Sequence, residues 1–172
     1  MAEVEVYTPL GVIAGDAAGL TTAGIDGQEL IEPIEIADAR WYPLDGSAAE
    51  HRGTVRIAPD DALLVVVPQD ALKVHMAWYS IAIELGPYRL CGSIATHPGF
   101  DPDKAIARPS GTFVSISDAV IDLLAVPGGS SARRAHVLVN RYAVDRVTSI
   151  LVLGYFFPGA QLVAAEVSVP VG

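Results

Sequence analysis

Four histidines, one cysteine and a few loop serines are the side chains of this sequence that could hold a metal or support nucleophilic chemistry. Metal sites gather His, Cys and carboxylates at short spacings on one element. His51, His75, His97 and His136 lie far apart, and none stands two or four residues from another. His97, Asp101 and Asp103 share one loop and offer oxygen ligands, but Asp-Pro-Asp is equally a turn former, and the loop lacks the ligand count of a calcium site. No metal and no cofactor is expected. Cys91 would need His97 or His136 beside it to act as a nucleophile. Its counterpart in an internal alignment is Ala14, which points to a small buried position. Ser110-Gly111 and Ser130-Ser131 lack the strand-turn-helix setting of a nucleophile elbow, and phosphate-binding glycine fingerprints are absent. The sequence carries no catalytic signature and leans towards a non-catalytic protein, with a hydrolase using Cys91 or a loop serine as the least supported reading.

Binding is the other chemistry to weigh. Lys104, Arg108, Arg133, Arg134, Arg141 and Arg146 put most of the positive charge in the second half, whereas the first 72 residues carry only Arg40, Arg52 and Arg56. An acidic half joined to a more basic one fits head-to-tail contact between subunits or a pocket for an anion. Arg108, Asn140 and Arg141 are the candidate ligand-binding residues. The bland alternative leaves Arg133-Arg134 as a solvated turn and pairs Arg141 with Asp145 or Asp118. Tyr155, Phe156 and Phe157 form a candidate interface anchor, since aromatics dominate many contacts. Core packing explains them nearly as well.

Composition narrows the partners. The 172 residues carry a net charge of −9, which disfavours nucleic acid and anionic lipid, both of which select clustered Lys and Arg. Half of the residues are apolar, 18% are charged and mean hydropathy is +0.40, an apolar excess that fits burial between units or subunits. A single cysteine excludes an intrachain disulfide. The start, MAEVEVY, has no basic segment followed by an apolar run, so the expected location is the cytoplasm. Residues 148–165 are uncharged, but Gly154, Pro158 and Gly159 suit strands and a turn better than a membrane helix.

Apolar residues recur at two-residue spacing, and twelve prolines with sixteen glycines punctuate the longer runs, so the fold class is all-β. Residues 4–15 and 81–92 align without a gap, as do Ile36-Ala37-Asp38-Ala39 and Ile116-Ser117-Asp118-Ala119. The runs 62–74 and 135–147 look alike, with corners at Pro68 to Asp70 and at Asn140-Arg141. Pro33 places its strand at an edge or makes Ile34 the real start, and Ser117 to Leu124 could be helical, although strand continuing to Leu123 is preferred. The organisation expected is a first β unit at 1–77, a second at 78–149, and a C-terminal hairpin at 150–172.

A hairpin start, a strand ending in Asp-Ala and a closing strand pair joined by a tight turn resemble the Sm-like β-barrel fold, once in each half. The resemblance implies tandem or pseudo-symmetric small barrels that pair strands across subunits. It does not carry RNA binding with it. The family's loop Asp and Asn have no counterpart in the long 93–112 loop, the corner reads Asn140-Arg141-Tyr142 without the Arg-Gly pair, and the amino-terminal helix is missing. The expected function is a non-catalytic, self-associating or partner-binding module, acting as a homo-oligomer or on a protein partner. A small anionic ligand or nucleotide is the alternative, and RNA by fold analogy stands third.

Overall fold

A computed structural model describes residues 2–20, 28–68, 77–96, 111–126, 131–151 and 153–165. The described chain is all-β: β1 (Ala2–Thr8), β2 (Gly11–Ala17), β3 (Ile34–Pro43), β4 (Glu50–Ile57), a 3-10 turn (Pro59–Asp61), β5 (Leu64–Val66), β6 (Ala77–Leu85), β7 (Tyr88–Thr96), β8 (Phe113–Leu123), β9 (Ala132–Asn140), β10 (Arg146–Ser149) and β11 (Gln161–Ala164). No helix among the described residues is long and apolar enough to cross a membrane.

Local sequence explains the hairpins. In β1, Val4 and Val6 are fully buried while Glu3 and Glu5 take the other face. The Thr8 hydroxyl closes the turn by donating to Gly11 O at 2.9 Å. Gly15 in β2 and Gly92 in β7 sit where a neighbouring strand bulges. A Cβ on Gly15 would lie 2.5 Å from Ala37 O, and one on Gly92 would lie 2.8 Å from Ser117 O. The bulges place Asp38 at φ 52° and Asp118 at φ 50°, a backbone region that Asp tolerates better than most side chains.

The eleven strands make one mixed sheet in the order β11-β10-β6-β7-β8-β9-β5-β1-β2-β3-β4. Each set of five has the same internal order: the fifth strand pairs with the first, followed by second, third and fourth. The two sets meet where β5 pairs with β9, in the register Leu64↔Val139 and Val65↔Leu138. All four side chains are fully buried. They are also exchanged between cores: Leu64 packs with the second unit's residues and Leu138 with the first unit's. This joint makes the sheet continuous and open, so the expectation of closed barrels is corrected.

Two further expectations change. The turn before β5 is Pro59–Asp61, Gln69 and Asp70 of the expected corner lie outside the described residues, and only Leu64–Val66 of the 62–74 run pairs as a strand among the described residues. Ala62, Leu63 and Val67 are buried too, so their apolar character imitates a longer strand. The C-terminal hairpin is also absent from the described residues. Ile150 and Leu151 bend away, the backbone N–H groups of Phe156 and Phe157 bond to Leu153 O, and β11 runs parallel to β10. Leu153 and Phe157 plug the second core instead of forming a strand.

Candidate binding groove

Where the units meet, the outward face of β1 and β2 abuts the ends of β7, β8 and β9 and leaves a groove of about 490 Å³. Its floor is apolar, with Tyr7 and Val12 from the first unit and Tyr88, Ile121 and Leu123 from the second. Tyr42 and Leu44 form a wall, and Tyr42 is 42% exposed. A concave, mostly apolar surface between two units with a few convergent polar groups is the usual setting of a binding site.

Glu5 and Arg134 supply the polar centre. Arg134 donates from Nε to Glu5 Oε2 at 2.8 Å and from Nη2 to Oε1 at 2.7 Å, a bidentate clamp across 129 residues of sequence. Both side chains are less than one-third exposed. The clamp holds the Arg134 guanidinium above its ordinary pKa, chiefly through the hydrogen bonds to Glu5. The Tyr7 hydroxyl donates to Glu5 Oε2 at 3.2 Å, and its pKa is pushed up to about 12, first by burial and then by the Glu5 charge. The Tyr7 ring meets Tyr88 edge to face at 5.3 Å. Tyr88 donates to Thr8 O at 2.7 Å, and burial raises its pKa as well. Glu5, Tyr7 and Arg134 are thus hydrogen-bonded to one another, while Tyr88 is held by the backbone carbonyls of Thr8 and Gly11.

The structure distributes the sequence candidates elsewhere. Asn140 is buried, donating to Ala62 O at 3.1 Å and Pro59 O at 3.3 Å and accepting from Tyr142 N–H at 3.1 Å. It ties the closing corners of the two units together. Arg141 reaches the C-terminal turn, with Nη1 3.4 Å from Tyr155 O, Nη2 3.1 Å from Tyr142 Oη and its guanidinium over the Tyr142 ring. Arg108 lies outside the described residues, as do His75, His97, Asp101, Asp103, Lys104, Ser110 and Ser130. Of the aromatic triplet, Tyr155 is exposed, Phe156 partly buried and Phe157 part of the core. The hollow beside Asn140, about 410 Å³, is lined by the carboxylates Glu29 and Asp60.

The buried His136 neighbours Ser115, whose Oγ lies 3.2 Å from both Nδ1 and Nε2. Equal distances place the hydroxyl at the ring edge between the nitrogens, off the line along which either one would take its proton. Cys91 faces Ala82 and Val120 across the ladder. No group of three or more His, Cys, Asp or Glu among the described residues is arranged to hold a metal ion.

Glu5, Tyr7, Tyr88 and Arg134 were not singled out as a site from the sequence. The one signal was the contrast between an acidic first half and a basic second half. It does mark a contact, but one made inside the chain. No known family, curated protein or solved structure matches this chain.

Proposed function

We propose that this chain is a non-catalytic binding module built from two related β units, and that its partner lies in the groove between them. The observation that carries this reading is the groove itself: apolar, contributed by both units, and centred on the Glu5–Arg134–Tyr7 cluster. Relatedness of the units is supported by their common strand order and by the paired bulges at Asp38 and Asp118. The Sm-like resemblance draws support from the hairpin start and closing corner in each unit. The strand pairing that the family makes across subunits would here be made within one chain, by β5 and β9.

A protein or peptide partner is a better fit than self-association through strand edges. By register, the counterpart of Leu64 is Arg146 on β10, and that of Leu138 is Arg56 on the outer strand β4. Arg56 at the β4 edge opposes pairing with a further copy, and the β10 edge is covered by β11. An anionic ligand or RNA near Arg141 is disfavoured by Glu29 and Asp60 in the adjacent hollow.

Amide-resolved NMR of the labelled full chain, titrated with pools of short peptides and fragments, tests the reading. Shifts are expected to cluster on Glu5, Tyr7, Tyr42 and Arg134. Hits confined to β4 or to the hollow around Asn140 would overturn it.

A further inference from the structure

We propose, building on the groove as the binding surface, that its occupant is an extended peptide segment whose apolar side chains stand beside a lysine or arginine. The groove adjoins a second hollow of about 380 Å³, and both are lined by Glu3, Ala14 and Tyr42, so the two form one trench. One end is the apolar floor between the units. The other end, at the β3 bulge, gathers the carboxylates of Glu3, Asp16 and Asp38 against Arg40 and His51.

The acidic end is unusual for a sheet. Glu3 and Asp16 are register partners on adjacent antiparallel strands, a like-charge pairing that works against the ladder. Among the described residues neither forms an ion pair, while Asp38 is 3.2 Å from His51 and Arg134 is held by Glu5. Asp122, at the groove's far side, has Arg89 opposite it in register. The second unit shows that the fold does not need acids at this point, since its matching register pair is Ser80↔Ser93. A cationic group between Glu3 and Asp16 relieves the repulsion. The described ligand geometry does not suit a metal ion, which leaves an ammonium or guanidinium group. Tyr42 stands at the wall shared by both hollows, where an exposed ring stacks on such a cation.

The shape selects a peptide over a small amine. Small-ligand pockets enclose roughly 70–90% of their ligand, whereas this trench is open to solvent along its length. An extended segment can place an apolar side chain on the Tyr7–Ile121 floor and a basic one beside Glu3.

Fluorescence anisotropy with labelled hexapeptides tests this on the full chain. Alternating leucine–lysine, leucine–glutamine and leucine–glutamate peptides are compared at about 0.15 M salt, where distant charges are screened. The leucine–lysine peptide is expected to bind tightest and the leucine–glutamate peptide weakest. Glu3→Gln with Asp16→Asn should weaken the leucine–lysine peptide about tenfold, without lowering the thermal midpoint, because the change removes a repulsion. Glu29→Gln with Asp60→Asn makes the same charge change at the other hollow and should leave binding unaltered. Equal affinity for the lysine and glutamine peptides, or equal loss from both double variants, overturns the assignment of a basic partner. The groove reading survives that result if Tyr42→Ala still weakens every peptide. Binding by no peptide, or binding indifferent to Tyr42→Ala, removes the groove reading and this proposal together.

Discussion

Leu64 and Leu138 each cross from one β unit into the core of the other, whereas the matching positions on β10 and on the outer strand β4 are Arg146 and Arg56. The backbone offers the same kind of edge at β5, β9 and β4. What differs is the side chain that a neighbour would have to accept. At the inner joint that side chain is an aliphatic group with no exposure, and burial of this kind contributes about 1.5–3 kcal/mol per residue. On β10 and β4 it is a guanidinium, exposed at Arg146 and engaged with Glu35 at 2.9 Å in the case of Arg56. The β10 edge is in addition covered by β11. The comparison teaches that one side chain per strand separates an edge that joins the two units inside the chain from the matching position that does not.

Exchanging the two kinds of residue gives the largest effect. Leu138→Arg, which writes the outer residue into the inner joint, should cost about 4 kcal/mol or more by burying an unpaired charge. Urea titration should show the loss or an absence of folded protein. Arg56→Leu, the reverse exchange, should stay within about 0.5 kcal/mol of the parent, as surface changes usually do.

The joint should also be sensitive to alkaline pH through Tyr7. The unfolded phenol ionises near pH 10 and the folded one at about 12, so between these values the unfolded state holds fewer protons and stability falls as pH rises. Below pH 10 this contribution is fully present. The loss should reach up to about 2 kcal/mol, with Tyr88 acting in the same direction. Thermal unfolding followed from pH 9 to 12 should show a shallower decline in Tyr7→Phe.

Smaller effects rank the ion pairs. Glu5→Ala should cost about 1–2 kcal/mol, between the values for exposed and for buried pairs, because the clamp to Arg134 is partly shielded. Arg52→Ala removes an exposed pair with Glu50 and should change stability by less than about 0.5 kcal/mol. Equal losses from the two would mean that the inter-unit clamp is no better shielded than the outer edge.

Much of the fold could be read from alternation alone. The hairpins at 4–15 and 81–92, the start of β3 at Ile34 and the continuation of β8 to Leu123 all follow from apolar residues two apart with turn residues at the breaks. The turn at Pro59–Asp61 was not legible because Ala62, Leu63 and Val67 are buried on either side of Leu64–Val66, so burial there imitates a longer strand. The C-terminal hairpin was misread for a related reason: Leu153 and Phe157 fill a core from a turn, which period-2 reasoning cannot distinguish from a strand. The groove was not legible. Glu5 and Arg134 are 129 residues apart, and nothing local in either strand announces the other.

Light scattering of the full chain across a wide concentration range tests the account most directly. With the joint satisfied internally and the β10 edge covered by β11, the mass should stay at the 18.0 kDa of a single chain. A mass that climbs with concentration through multiples of that value, and that climbs less once Gln161–Ala164 or the β4 edge is altered to block pairing, would contradict it.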